Sequence, residues 1–311
     1  MASDGNTLKI VLFYVTVGYS IPCYIAHFIT IYVLSARRFR QRFKYSFYKL
    51  FKLQCLLIVQ LMNATVIRLP FSNLFNDIIE RHQLIREGAV PTIGHFLFYY
   101  LLYASLLNGV LISLNRIIVM VLPTTFRDIW RRSLPYLIVF LFLLPLLLTW
   151  HLVVGGSYFV YSKEALAYRP TYNNIFGIKN SSYVFHFHVV IDTFVLVIDL
   201  IIIGYVIKNR VHEVDWPELK LFLLSLANFV LQGAQGGFQA VAFYGVCPTC
   251  YVTNLLLHPI LIDIICFVNP WFLLVSSAAF RQSVKEVFRV KARKTESRVK
   301  AMAAADGRST V

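Results

Sequence analysis

Asp192 stands four residues after His188 in a stretch, 183–207, whose only acids are Asp192 and Asp199. Side chains four apart on a helix touch, so this imidazole and carboxyl can act on one bound group. Ionisable residues inside an apolar helix are costly, and each is a functional candidate by default. Gln232, Gln235 and Gln239 line one face of a second stretch, and Asn254 and His258 share a face of a third, above Asp263. Tyr99, Tyr100 and Tyr103 lie in a fourth, with Asn108 deeper. At roughly 1.5 Å per helical residue, Asp192 lies about 14 Å and Asp199 about 24 Å below Tyr183. Tyr99, Tyr103, His188, Asp192, Gln235, Gln239 and His258 together would make a mixed aromatic and polar cavity suited to a small-molecule ligand. The alternative is that these groups satisfy one another across helices; for Asp199 and Asp263 that alternative is the stronger one. A zinc site of His186, His188, Asp192 and His258 is disfavoured. Three ligands would have to meet at one depth, and His186 and His188 point about 200° apart on a helix. No cofactor is expected.

The elements that carry these residues are long and apolar. Of 311 residues, 58% are hydrophobic and 14% charged, against roughly 45–50% and 25% in an ordinary globular domain. That excludes a soluble enzyme of normal composition and a disordered chain. About 20 apolar residues cross the hydrocarbon of a bilayer as a helix. The chain offers seven such runs: 10–36, 47–71, 88–115, 133–162, 183–207, 219–246 and 251–280. The last two share 42 uncharged residues, broken at Cys247-Pro248-Thr249-Cys250 because proline disfavours a continuing helix. Continuous runs favour helices over an alternating barrel. The expected fold is an all-α membrane protein, a seven-transmembrane helix bundle. It comprises an extracellular N-terminus over 1–9, the bundle over 10–280 and a basic cytoplasmic tail over 281–311. No cleavable signal peptide is expected, since the first eight residues carry Asp4 and no basic residue.

Charge sets the orientation. The net +15 would suggest nucleic acid in a soluble protein. Here, with the N-terminus outside, the outer segments hold six Lys+Arg (Lys9, Arg81, Arg86, Lys163, Arg169, Lys179) and the inner ones 23, with Arg68 left over. Positive loops face the cytoplasm, so the partners expected inside are anionic lipid and a signalling protein, with no nucleic acid. Asn180-Ser181-Ser182 is then a glycosylation sequon on the outer side, while Asn63-Ala64-Thr65 falls within a span and is unused. Cys247 and Cys250 face the oxidising side and either close a small, strained disulfide or remain thiols.

Three inner elements point to a class. Arg116 ends the third run as Asn115-Arg116-Ile117, and resembles the Asp-Arg-Tyr element of rhodopsin-like G-protein-coupled receptors without the acid. A positive anchor at a helix end is the plainer reading of that arginine. Asn269-Pro270-Trp271-Phe272-Leu273 resembles their Asn-Pro-x-x-Tyr hinge, with Leu273 in place of tyrosine. The run from Phe280 to Arg289 has apolar residues at i, i+4, i+7 and i+8 with basic ones between them. That is an amphipathic eighth helix at the inner membrane surface. The chain departs from the rhodopsin-like pattern in having no acid in span two, no proline inside span six, and no cysteine for the usual outer disulfide. Gly233, Gly236 and Gly237 supply flexibility or close packing in span six instead.

The whole chain also resembles a narrower family, the nematode serpentine receptor class gamma chemoreceptors. The residues that carry the likeness are Arg42-Phe43-Lys44-Tyr45-Ser46-Phe47-Tyr48, Ser113-Leu114-Asn115-Arg116 with Leu122-Pro123, Phe126-Arg127 and Ile129-Trp130, and Asn269-Pro270-Trp271-Phe272-Leu273-Leu274 with Ser277 and Arg281. The resemblance implies a chemosensory receptor in the plasma or ciliary membrane of sensory neurons, coupled to a heterotrimeric G protein and not an enzyme. Arg116, Arg127, Arg131, Lys208 and Lys220 would meet that G protein, and Asn269, Pro270, Gly236 and Gly237 would form the activation hinge. A retinal protein is opposed by the lack of lysine in 251–280. A seven-span transporter is opposed by the lack of self-similarity between the two halves, and an inverted chemoreceptor channel by the charge bias.

Overall fold

The computed structural model describes residues 2–43, 46–57, 59–68, 73–122, 124–162, 167–175, 177, 179–208, 216–245 and 250–289. The chain is a bundle of helices: α1 (Ala2–Ser35), α2 (Ser46–Leu56), α3 (Val59–Met62), α4 (Asn73–Arg81), α5 (Gln83–Arg86), α6 (Ala89–Val121), α7 (Phe126–Gly155), α8 (Asn180–Lys208), α9 (Trp216–Tyr244) and α10 (Cys250–Ser276). Residues 278–289 form a further helix, α11. Five of these, over Phe13–Ser35, Ala89–Val121, Asp128–Gly155, Asn180–Lys208 and Leu257–Ser276, are long and apolar enough to cross a membrane. The chain is a multi-pass membrane protein.

Helix α6 is central. Of its most apolar window, 61% is buried, against 28% in α7 and α8, which present Tyr136, Leu147, Val190 and Leu200 outward. Apolar residues on the outside of a bundle are what lipid requires. Helices α2, α7, α8 and α9 pack on α6, and α10 packs on both α9 and α1, which closes the ring.

The second expected run is not one helix. Helices α2 and α3 are followed by a π-helical stretch over Asn63–Arg68. Residues 46–68 contain neither proline nor glycine, so the break has no local propensity behind it. It coincides with a tertiary demand. Asn63 is fully buried, and its Nδ2 donates to the Pro259 carbonyl at 2.8 Å and to Asp263 Oδ1 at 3.0 Å. From α1, the Tyr19 hydroxyl donates to Asp263 Oδ2 at 2.8 Å. Widening a helix by one residue per turn re-aims side chains, and here it brings Asn63 onto α10.

The fourth run ends seven residues early. Gly156 has φ of 70°, a left-handed conformation that suits glycine after a helix end. A Cβ on Gly155 would lie 2.6 Å from the Asn173 carbonyl, so that position must also be glycine. The chain then leaves the helix as β2 (Ser157–Ser162), which pairs antiparallel with β3 (Ala167–Tyr172) and with the short β1 (Glu87–Gly88). This three-stranded sheet is an addition to the all-α expectation. It lies at the same end of the bundle as α4 and α5, where Ile79, Phe159 and Tyr168 form a satellite core. The first nine residues, expected as a separate N-terminal segment, belong to α1 from Ala2 onward.

At the opposite end, Ser277 Oγ accepts from the Phe280 N–H and caps α11, while Arg281 donates to the Leu274 and Val275 carbonyls and caps α10. Much of the apolar face of α11 is taken up by protein, with Phe288 left exposed. Phe280 and Val287 join the main core, with Phe280 6.3 Å from Phe43. Arg42 bridges to Glu286 at 2.8 Å and donates to Ser283 at 3.2 Å.

Replacing Asn63 with leucine removes both donations to α10 and is expected to cost on the order of 3 kcal/mol. Glu286→Gln, at a half-exposed surface pair, is expected to cost less than about 1 kcal/mol. Thermal melting of the detergent-solubilised protein would separate the two, and equal shifts would contradict the ranking.

Candidate ligand site and coupling face

The residues proposed for a ligand site fall into two groups. The first lies between α6, α8, α9 and α10. His188 is fully buried, and its Nδ1 stands 3.7 Å from Asp192 Oδ2. Gly236 of α9 faces this pair, since a Cβ there would lie 3.3 Å from Asp192 Oδ2 and 3.4 Å from the His188 Cβ. One turn further along α9, Gln239 is 3.0 Å from His258 Nε2, and His258 lies within electrostatic range of His188. Gln235 is buried beside Gly236. Tyr103 of α6 is fully buried and meets Phe187 edge to face at 4.8 Å. His186 points away, exposed, and its Nδ1–H donates to the Ser182 carbonyl at 2.7 Å; the zinc arrangement is not assembled.

Tyr99 joins a second group, under the hairpin. Its ring is 5.1 Å from His95, which is 3.1 Å from Ser157 Oγ. Tyr172 lies against both His95 and His151 and accepts the Asn180 N–H at 2.5 Å. Burial raises the pKa of the Tyr172 phenol, and the Asn180 N–H offsets part of that rise. At the rim, Tyr168 donates to Glu80 at 3.1 Å; burial and then this bond to a carboxylate hold its phenol up. Asn180 itself is 1% exposed, and its side chain interacts with Tyr99 and His151. A glycan has no room on that carboxamide in the folded chain.

Below the first group a narrow polar cavity is lined by Gln54, Gly109, Ser113, Asn228, Gln232 and Asn269, among others. Gln54 donates to Ser105 at 2.5 Å and accepts from Asn108 at 2.7 Å. Asn228 donates to Asn269 at 3.2 Å. The Asn269 side chain donates to the Ile265 carbonyl at 3.2 Å, and Pro270 next to it has no N–H to give to a backbone carbonyl. Asn269 therefore ties α9 to α10 and also bonds back within its own helix. Of the glycines in α9, Gly236 packs on α8, while Gly233 and Gly237 face open space. The close-packing register is thus not Gly233–Gly237.

Toward the end of the bundle opposite the hairpin, Arg116 is 2% exposed. Its guanidinium lies 4.0 Å from the centre of the Phe47 ring, a cation–π contact between α6 and α2. It is not on an open face. Arg131 and Lys208 are exposed. The side chains of Arg127 and Lys220 lie outside the described residues, as does the Cys247–Cys250 pair. Sequence reasoning missed Tyr19, Phe47, His95 and His151 as site neighbours. It had also set Asn63 aside as an unused sequon.

Because Asn180 is buried, the expressed protein is expected to keep its electrophoretic mobility after N-glycosidase treatment and in an Asn180→Gln variant. A mobility shift on either would show the sequon occupied.

Comparison with known proteins agrees with this architecture. Serpentine receptor class gamma-31 of Caenorhabditis elegans is 25% identical over 218 residues, 65% of this chain and 67% of that protein. Serpentine receptor class gamma-4 of the same organism is 29% identical over 161 residues, 48% of this chain and 49% of that one. Serpentine receptor class gamma-20 is 23% identical over 196 residues, 62% and 55% of the two chains. The alignments with the last two thus span about half the length of those relatives. The profile of the Srg family chemoreceptors matches residues 13–284, nearly the whole described bundle, and the chain belongs to that family.

Proposed function

We propose that this protein is a seven-span, G-protein-coupled chemosensory receptor, with its N-terminus outside, in the plasma or ciliary membrane of sensory neurons. A small ligand enters from the hairpin end and binds among Tyr103, His188, Asp192, Gln235, Gln239 and His258, with Tyr99 at the mouth. The observation that carries this reading is a series of polar groups spaced along the bundle. They are the His188–Asp192 pair, the cavity lined by Gln232, Gly109 and Ser113, and the Asn228–Asn269 bond beside Pro270.

The topology has further support. Glu87 and Ala167–Tyr172, which belong to segments expected outside, lie in one sheet at one end. Segments expected inside, 37–43 and 278–289, meet through Arg42 and Glu286 at the other. Seven spans follow if α2, α3 and the π-helical stretch cross together and α9 crosses as the sixth. A ligand shifts the bundle only by its differential affinity for two states. Asn269, Pro270 and Gly236 are the points where α9 and α10 can re-pack. The α2–α6 contact at Arg116 would open as they do, exposing a basic face with Arg127, Arg131, Lys208 and Lys220 to the heterotrimeric G protein. Helix α11, docked on the first inner loop, lies along the anionic inner leaflet through its exposed Arg281, Lys285 and Arg289.

Purified receptor reconstituted with a panel of Gα subunits is expected to accelerate nucleotide exchange when given a stimulus active in cells. Arg116→Ala is expected to reduce that exchange at least about tenfold, equivalent to 1.4 kcal/mol. Wild-type protein that responds to a stimulus with no exchange on any Gα removes the G-protein part of the proposal.

A further inference from the structure

We propose that the Asp192 group is a subsite for an organic cation, and that the ligand is a small amine whose ammonium pairs with the Asp192 carboxylate. This rests on the receptor reading above and gives it a ligand class.

Buried polar atoms in folded proteins almost always have partners. Here several neighbours do not, among the described residues: Tyr103 Oη, both ring nitrogens of His188, Asp192 Oδ1 and Gln235 Nε2. Tyr103, His188 and Gln235 are at most 1% exposed. The atoms come from three packed helices, and Gly236 and the Tyr103–Phe187 contact bring those helices together at this level. Of these, the two ring nitrogens of His188 stand directly beside the Asp192 carboxyl, with Gly236 facing both and leaving no side chain between α8 and α9 at that point. An unpartnered imidazole and carboxyl meeting there describe a binding site.

The charge of that site is one-sided. Residues 89–115, 183–207 and 221–262 contain no lysine or arginine. The nearest imidazole to Asp192, that of His188, stands at 3.7 Å, beyond hydrogen-bond reach. His258 is engaged by Gln239. The other acid of the upper bundle, Asp263, is held by Tyr19 and Asn63. An anionic ligand would meet a carboxylate with no cation to offset it. A neutral ligand would leave that carboxylate, 16% exposed, with no partner but the His188 ring at 3.7 Å, which is unfavourable. An ammonium supplies both the charge and the donors that Asp192 lacks. The Tyr103 and Phe187 rings can take the apolar body of such a ligand and add cation–π attraction. Tyr103 Oη–H and Gln235 Nε2–H remain as donors for one acceptor oxygen elsewhere on it.

The test uses the full-length receptor in detergent and a panel of small amines, each beside its alcohol and carboxylate counterparts. The first set is 2-phenylethylamine, 2-phenylethanol and 3-phenylpropanoate. At least one amine is expected to raise Tm in a saturable way, while its alcohol and carboxylate partners do not. Asp192→Asn is expected to weaken that amine at least tenfold, and Gln235→Leu to weaken it less. Val190→Ala, on the lipid-facing side of α8, is expected to leave it unchanged. Monodisperse elution checks that each variant is folded, and Asp192→Glu, which keeps the charge, should restore part of the binding if the asparagine variant does not elute as a single species. A panel in which no amine shifts Tm, or in which a carboxylate shifts it more, overturns the proposal, as does unchanged amine affinity in Asp192→Asn. Stimulus-driven exchange on Gα with every amine inactive removes the cation subsite and leaves the receptor reading standing. Amine binding without exchange on any Gα does the reverse.

Discussion

Asp263 has to be satisfied, and much of the bundle is arranged to do it. A buried carboxylate in an apolar medium costs several kcal/mol unless it is hydrogen-bonded. The donors come from the other end of the sequence, Tyr19 on α1 and Asn63 on the π-helical stretch, which lie beside α10 in the ring although 244 and 200 residues away in the chain. To present Asn63 there, the second segment gives up a regular α-helix. The same asparagine takes the carbonyl of Pro259, so a proline bend and a helix widening meet at one point. Trp271, which donates to Cys23, adds a second α1–α10 contact two turns further along. The ring closes through directional polar bonds, which suits a medium where apolar contact with lipid competes with apolar contact between helices.

The two ends of the bundle are finished differently. At the hairpin end the chain leaves α7 through two glycines and lays a sheet against His95, His151 and Tyr99, with its own Tyr172 completing an aromatic layer that spans α6, α7 and β3. At the other end a single residue, Ser277, separates α10 from α11, and each helix end is capped from across the junction. A rotation of the inner half of α10 therefore moves α11, and with it the loop held by Arg42. Ligand and signalling partner would meet ends of unlike stiffness, one packed by rings and one by caps and an ion pair.

Span positions were legible in the sequence wherever apolar runs were continuous, as in α1, α6, α8 and α10. The polar residues between α6, α8, α9 and α10 were legible too, because an aspartate or glutamine in an apolar helix is visible without a structure. Their partners were not. Nothing local links Tyr19 to Asp263 or Phe47 to Arg116; those pairings exist only once the ring is closed. The end of α7 was misplaced by seven residues because Ser157–Ser162 is apolar enough to prolong a hydropathy run, though Gly155-Gly156 was the available stop signal. The face of α11 was read as lipid-facing from its periodicity, which reports that a face is buried but not against what.

Arg116 rests on an aromatic ring, where the wider receptor pattern has a carboxylate next in sequence. The Phe47 ring, 4.0 Å from the guanidinium, gives α2 a direct grip on this arginine. Its hold on the guanidinium depends on the spacing of α2 and α6 and on how dry the contact is. Arg116 is thereby tied to α2, the segment whose continuation the Asp263 network draws out of regular α-helical geometry, so a displacement of α2 is felt directly at the guanidinium.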